Sequence, residues 1–326
     1  MSKISIIVPI YNAARFLETT VNSILKQRYT NWELLLIDDC SIDESPNICC
    51  DYQRKDSRIL FLKNKRNIGA AATRNEGIKR ASGKYVVFID SDDVVESNYL
   101  ERLYQTIEKY HVDIVWCNYK ECFPNGVILN KSHNLPICQK LTSRYLLELY
   151  FSGTADGLGS MWNKIYSLDF LRGNKILLDE RMAIGEDWNF NLDAFQKQVS
   201  LIAINDCLYN YIRQNQTSIM NSFHENHFDL MCEMRYKLLR LAREKNILYD
   251  KEKFWGNFIY NSLVFLHKAA KHGKSKNYLK TICKHELFKR SLKEVKSVSI
   301  SPFYNLVFFF LRKRLFTIAF FILRYK

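Results

Sequence analysis

The sequence predicts an α/β fold, a mostly parallel sheet with helices on both faces, followed by a helical C-terminal extension. Three observations predict it. Through roughly the first hundred residues, short apolar runs alternate with segments of helical spacing, the signature of parallel strands joined by crossover helices. Four of the runs end in polar or conformationally special residues, as expected of strands whose carboxyl ends share one ligand-binding edge. Beyond residue 225 the chain reads as helices.

The elements follow in order. Ile4–Val8 is a buried strand, and Ala13–Gln27 is a helix with Phe16, Val21, Ile24 and Leu25 as its apolar stripe. Glu33–Ile37 is a second strand, Ser45–Arg54 a helix, and Arg58–Leu62 a third strand. Ala70–Ala81 is a helix expected to close on Gly83, and residues 85–89 form the fourth strand. Residues 97–220 are less regular. A helix at Tyr99–Tyr110, a strand at Asp113–Asn118 and a hairpin turn at Pro124–Gly126 stand out. The expected domains are a catalytic one over 1–225, with halves 1–97 and 98–225, and a basic helical extension over 226–326.

A chain of 326 residues suits one large domain with an appendage. Its nine Cys do not form a disulfide framework: Cys49 and Cys50 are adjacent, and no CxxC occurs. With no secretory leader pattern evident at the N-terminus, a reducing cytosol is the expectation. The net charge of +14 is uneven. Residues 254–326 hold 15 Lys and Arg against 2 Asp and Glu, while residues 1–253 are within one charge of neutral. A basic tail suits nucleic acid or an anionic membrane face. Its many Phe and Leu favour the membrane and disfavour nucleic acid.

Two nucleotide signatures are absent. The first strand runs into Pro9-Ile10-Tyr11-Asn12, with no GxGxxG, and Gly273-Lys274-Ser275 lacks the first Gly of a phosphate loop because Lys268 stands there. What is present is a carboxylate cluster, Asp90-Ser91-Asp92-Asp93, directly after the strand. Hard divalent cations want oxygen ligands and share them with a substrate phosphate. The four strand ends are Pro9–Asn12, Asp38-Asp39, Asn67–Gly69 and Asp90–Asp93. A base could stack on Tyr11, a carboxylate could accept the imide N–H of uracil, and Asp92 could hold a metal against a diphosphate. Each segment has a structural alternative: Asp38-Asp39 as a helix cap, Asp90–Asp93 as a turn plus a cap.

The segments at 6–12 (IIVPIYN), 36–41 (LIDDCS), 67–75 (NIGAAATRN), 83–85 (GKY) and 88–93 (FIDSDD), in this order and spacing, resemble the family 2 glycosyltransferases of GT-A fold, over roughly residues 3–220. The resemblance implies that Pro9, Tyr11 and Asp39 contact uridine, with Asn12 beside them. It places Arg74 near the nucleotide and makes Asp90 and Asp92 the metal motif, for Mn²⁺ or Mg²⁺, with Asp92 the more direct ligand.

Inverting sugar transfer also needs a base for the acceptor hydroxyl. The segment Ala183–Phe190 resembles the family's Glu-Asp segment, and Asp187 matches its base, with Glu186 and Trp188 beside it. The alternative is that Glu186 and Asp187 cap a helix running to Phe195. Trp162 or Trp188 could line an acceptor site, since sugars stack on aromatic faces; either could equally be core. Tyr211–Ser218 resembles a loop that follows the base helix in bacterial members. There Arg213 suits a pyrophosphate or a surface salt bridge. His224 and His227 are candidates for an extra metal ligand or plain surface histidines.

Phe303–Leu311 and Leu315–Leu323 are two apolar blocks separated by Arg312-Lys313-Arg314. Neither spans a bilayer, which takes about 20 residues. An interfacial helix pair facing anionic headgroups fits better. Packing on the catalytic domain, or a homodimer contact, is the alternative. The expectation is therefore an inverting, metal-dependent transferase peripheral on the inner face of the cell membrane. It would use a UDP-sugar and a lipid-linked saccharide acceptor in capsule, exopolysaccharide or lipopolysaccharide synthesis. A non-catalytic subunit supporting a partner transferase is the second hypothesis, and a nucleotidyltransferase the third.

Overall fold

The computed structural model describes residues 2–152, 157–213, 223–296 and 301–325. They form two compact units, Met1–Leu146 with Ala155–Thr217, and Leu147–Thr154 with Ser218–Lys326. The first unit opens with β1 (Ile4–Ile10), α1 (Ala14–Leu25), β2 (Trp32–Asp38), α2 (Ser45–Lys55), β3 (Ile59–Lys63), α3 (Ala70–Arg80) and β4 (Tyr85–Phe88). It continues with β5 (Val94–Val95), α4 (Tyr99–Tyr110), β6 (Ile114–Cys122), β7 (Ile128–Lys131), β8 (Lys140–Thr142) and the start of α5 (Ser143–Ser152), whose residues from Leu147 belong to the second unit. It ends with β9 (Lys164–Ser167), α6 (Leu168–Gly173), α7 (Glu186–Gln196) and β10 (Ser200–Ile212).

The sheet order is β3-β2-β1-β4-β9-β6-β10-β5, with β7 on β6 and β8 on β10. The α/β class is borne out, and the parallel pairing has definite limits. Strands β3, β2, β1 and β4 run parallel, as do β6 and β10, while β9 lies antiparallel between β4 and β6. Strand β1 sits between β2 and β4, and both its faces are buried: Ile6 and Ile7 point opposite ways and neither is exposed. A near-continuous apolar run is what such a position demands. Leu17, Val21 and Ile24 of α1 pack into the core of Ile4, Ile6 and Val8. All nine cysteines are free.

One expectation needs correction. Gly83 does not close α3; the cap is Ala81, in an extended conformation. Gly83 serves close approach instead. A Cβ there would stand 2.6 Å from the Lys3 carbonyl oxygen and 2.8 Å from the Ser5 nitrogen, both backbone atoms. The Gly83 N–H also donates to Ser5 Oγ. The turn before β4 is thus held against the start of β1, which sets β4 in register with its parallel neighbour.

The second unit is helical: α8 (His227–Glu244), α9 (Lys251–Lys271), α10 (Lys276–Lys284), α11 (Glu286–Glu294), α12 (Pro302–Arg312) and α13 (Phe316–Tyr325). Helix α9 is its centre, with Trp255, Phe258, Ile259, Leu263 and Leu266 buried. Helices α8, α10, α11, α12 and α13 all pack against it. Among the described residues no helix is long and apolar enough to cross a membrane.

Because the atoms a side chain would meet at Gly83 are backbone, Gly83→Ala should destabilise the fold by about 1–3 kcal/mol. Gly173→Ala, with nothing within 4 Å of its Cβ, should not. Denaturant unfolding of the two variants checks the contrast.

Candidate active site

The parallel strands bring their carboxyl ends to one edge. The register pairs Ile10 with Asp38 and Asp38 with Lys63, and aligns Ile7 with Phe88. Tyr11-Asn12, Asp39, Asn67–Gly69 and Asp90–Asp92 follow directly from these ends. Pro9, inside β1, is half-buried. Tyr11 is 52% exposed, so its ring is open to a stacking partner. Asn12 has a left-handed backbone (φ 51°), and its Oδ1 accepts from the Ile42 N–H at 3.0 Å.

Asp39 is buried and already heavily engaged. Its carboxylate accepts from Asn64 Nδ2 (2.9 Å), Ile68 N–H (2.8 Å) and Gly69 N–H (2.8 Å). This locks the end of β2 to the turn leading into α3. A carboxylate offers about four lone-pair sites, so one remains.

The centre of the site is Arg74 of α3. Its guanidinium, with the side chain only 11% exposed, bonds Asp90 Oδ1 at 2.7 Å and Glu186 Oε1 at 3.0 Å. It therefore joins the acidic turn after β4 to the start of α7, 112 positions along the chain. Desolvation of the guanidinium is outweighed by Asp90, Glu186 and Asp187, which hold its pKa above the ordinary value. Its Nε is buried without a partner among the described residues. An unpaired buried donor is costly, and an anion beside it would remove that cost.

Asp92 is half-buried, and no side chain donates to it among the described residues. Burial, then the neighbouring Asp90 charge, pushes its carboxyl up to about 6. A carboxylate held in a partly dry site beside another carboxylate suits a hard cation. Among the described residues no three His, Cys, Asp or Glu side chains form a ready cage. The two residues present fit a Mg²⁺-like ion that completes its shell with substrate phosphate and water. Asp93 is different. It is fully buried, accepts from Tyr209 OH (2.7 Å) and Ile212 N–H (2.7 Å), and is pushed well up by burial and by its two acidic neighbours. The same Tyr209 oxygen accepts from the Asp90 N–H. Asp93 and Tyr209 thus fix the turn that carries Asp90 and Asp92. The carboxylate at 93 was visible in the sequence, but its partner 116 positions away was not.

Glu186 and Asp187 occupy the first turn of α7, whose cap is Gly185 in the left-handed region (φ 83°), with no side-chain cap. The positive end of the helix dipole favours both carboxylates there. Asp187 Oδ1 accepts from the Trp188 N–H at 2.7 Å. Burial, then Glu186, pushes its carboxyl up to about 7, against the pull of that N–H and of Arg74. Trp188 is 40% exposed, and its ring lies on Gly159, where a Cβ would come within 2.3 Å of it. Trp162 is half-buried in an aromatic stack, 4.5 Å from Tyr209 and 5.7 Å from Tyr211 between centroids.

Arg213 pairs with Glu121 and lies over the Tyr211 ring. This is the salt bridge that the sequence left as an alternative. Residues 214–218 of its loop lie outside the described residues. His227 opens α8 in the second unit, and burial, then Lys268, pushes its imidazole down to about 4. His224 belongs to the same unit.

Residues 5–163 match the sequence model described as glycosyl transferase family 2. The chain is 31% identical to the uncharacterized glycosyltransferase EpsJ of Bacillus subtilis over 236 residues, 72% of this chain and 67% of EpsJ. It is 39% identical over 145 residues to WfgD of Escherichia coli, named as a UDP-Glc:α-D-GlcNAc-diphosphoundecaprenol β-1,3-glucosyltransferase; that match covers 44% of this chain and 55% of WfgD. Other curated relatives are much longer, and the chain spans as little as 31% of one of them. Among solved structures, residues 1–349 of Staphylococcus aureus TarS in complex with UDP-GlcNAc superpose with a TM-score of 0.67. That likeness covers 98% of this chain and 90% of TarS at 20% identity, and shows the fold.

A carboxyl raised in the folded state contributes stability below its unfolded pKa that is lost as pH rises through the folded value. For Asp187 that window runs from about 4 to about 7. Asp187→Asn should therefore raise the thermal midpoint at pH 8, and the gain should shrink toward pH 5. Calorimetric melts at the two pH values check the sign.

Proposed function

Since the chain belongs to glycosyltransferase family 2, we propose that it is an inverting, metal-dependent transferase moving a sugar from a UDP-sugar to a saccharide hydroxyl. The observation that carries this reading is the gathering of Asp90, Glu186 and Asp187 around one buried Arg74, with Asp92 beside them, at the carboxyl edge of the sheet. A divalent ion held by Asp90 and Asp92, Mn²⁺ or Mg²⁺, would neutralise the leaving diphosphate.

The chain's own residues do the rest. Tyr11 stacks on the uracil, with Pro9 and Asn12 shaping the floor beneath it, and the remaining lone pair of Asp39 accepts the imide N–H. Arg74 holds Asp90 in place, and its spare Nε donates to a phosphate oxygen. Arg213 reaches a pyrophosphate only by exchanging Glu121 for it. Asp187 takes the acceptor proton on Oδ2, while the Trp188 N–H holds Oδ1. A carboxyl near 7 is well matched to taking a proton at neutral pH. Inversion of an α-linked donor gives a β-linked product, as in the name of WfgD. Trp188, and Trp162 beside Tyr211, supply aromatic faces for the acceptor.

The reading extends to surface polysaccharide synthesis on a lipid-linked acceptor, supported by the WfgD similarity. It also extends to a peripheral position on the inner face of the membrane. Helices α12 and α13 bury Val307, Phe308, Leu311, Ala319, Phe320 and Leu323. They leave Leu306, Phe309, Leu315, Ile318, Phe321 and Tyr325 exposed, with the cations of 312–314 between the helices. An exposed apolar face rimmed by cations suits an anionic bilayer. We assign catalysis to the GT-A portion through residue 225 and membrane contact to the extension beyond it.

UDP release from a panel of UDP-sugars should single out one donor, and a chelator should stop it. Asp187→Asn and Asp92→Asn should each lower turnover at least about 100-fold. Asp187→Asn should leave UDP binding unchanged. Normal turnover by Asp187→Asn would remove it as the base.

Vesicles containing phosphatidylglycerol should sediment the protein at low salt, less so at high salt, and Phe309→Asp with Phe321→Asp should abolish this. If the face instead joins two copies, the protein alone will run as a dimer and ignore the vesicles.

A further inference from the structure

Lys164 is fully buried, and no carboxylate among the described residues hydrogen-bonds it. Its Nζ donates to the carbonyl oxygens of Gly157 (2.7 Å) and Ser160 (2.6 Å) and to Asn163 Oδ1 (2.9 Å), and lies 4.6 Å from the centroid of the Trp116 ring. A buried ammonium is expensive and persists only where its donors are met. Here they are met by one turn, 157–163. Lys164 begins β9, which runs antiparallel to β4 with Val87 opposite Ile165. The turn therefore enters the sheet at the edge where β4 releases Asp90.

The same turn is gripped from its other side by the helix of the base. Asn191 of α7 donates to Gly159 O (2.6 Å), Ser160 O (3.3 Å) and Asp187 O (3.1 Å), and its Oδ1 accepts from Tyr166 OH (2.8 Å). Ser160 O is thus shared between Lys164 and Asn191. Gly159 is the surface on which the Trp188 ring rests, and Trp162 belongs to the turn itself.

We propose that Lys164 is a positioning residue for the acceptor side: its ammonium fixes the 157–163 turn, and through that turn the placement of Asp187, Trp188 and Trp162. The role rests on the transferase reading above. Removing the ammonium would take a donor from the Gly157 and Ser160 carbonyls and from Asn163 Oδ1, leaving the turn to the weaker bonds of Asn163 and Asn191, and would loosen the seat of the acceptor, while the nucleotide edge at Tyr11 and Asp39 keeps its contacts. A misplacement of about 1 Å at a reacting group can cost on the order of 100-fold in rate.

The test is Lys164→Met, which keeps the length and apolar stem without the charge. UDP affinity by calorimetry should stay within about twofold of wild type. Acceptor KM should rise, or kcat fall, by at least about tenfold, with donor KM little changed. Should Lys164→Met fail to fold, Gly159→Ala perturbs the same turn from under Trp188 and should give the same split between acceptor and donor. Wild-type acceptor kinetics in the folded variant, or in Gly159→Ala where Lys164→Met does not fold, would overturn the assignment. Equal losses in UDP affinity and acceptor use would also overturn it, as a general collapse of the site. Wild-type protein that transfers no sugar from any donor would instead overturn the transferase reading, and this role with it.

Discussion

Four carboxylates crowd the edge of this sheet, and the site depends on the single guanidinium placed among them. Asp90 and Asp92 come from the turn after β4; Glu186 and Asp187 come from the start of α7. Left to themselves these charges would repel, and the strand end and the helix end would part. Arg74 bridges the two in a partly dry setting where its bonds are strong, at 2.7 and 3.0 Å. The bridge takes up Asp90 and Glu186 and, among the described residues, leaves Asp92 and Asp187 without a bonded cation. Both of these are pushed upward, to about 6 and about 7. One arginine thus sorts four acids into two that it ties into the architecture and two that it leaves unbridged.

The first half of the fold was legible because each local signal agreed with its neighbours. The strands at 4–10, 32–38, 59–63 and 85–88 and the helix at 99–110 stand where apolar spacing puts them, to within a residue or two. Strand β10 was not legible. Asn205 and Asp206 interrupt its apolar run, and the structure shows why they are tolerated: the ladder to β6 shifts register between Ile204 and Cys207 and again before Tyr209. A bulge spoils the period on which a strand is recognised. Gly83 misled for a different reason. A glycine two residues past a helix looks like a cap, and only the neighbouring backbone reveals that it marks a close approach.

At the site, residue types were readable and partnerships were not. The acidic run at 90–93 announced itself, yet nothing local separates Asp93, sealed under Tyr209, from Asp92, to which no side chain donates among the described residues. Arg74 could be placed near a nucleotide by resemblance alone. That it reaches Glu186 is a property of three-dimensional closure. Trp162 and Trp188 were equivalent on paper; the structure gives one to an aromatic stack and leaves the other resting on a glycine.

The position of β1 also bears on how the chain assembles as it is made. Strand β1 emerges before either of its neighbours yet becomes an interior strand, and its parallel neighbours are complete once β4 appears at residue 88. The other side of β4 must wait for β9, about 75 residues later. At ribosomal speeds of about 5–20 residues per second, that edge stays open for roughly 4–15 s. An unpaired, wholly apolar strand such as Tyr85–Phe88 is an invitation to pair with another chain. The nascent protein is therefore exposed to misassembly before Asp187 has been synthesised, and a chaperone that covers this one edge would protect it through that interval.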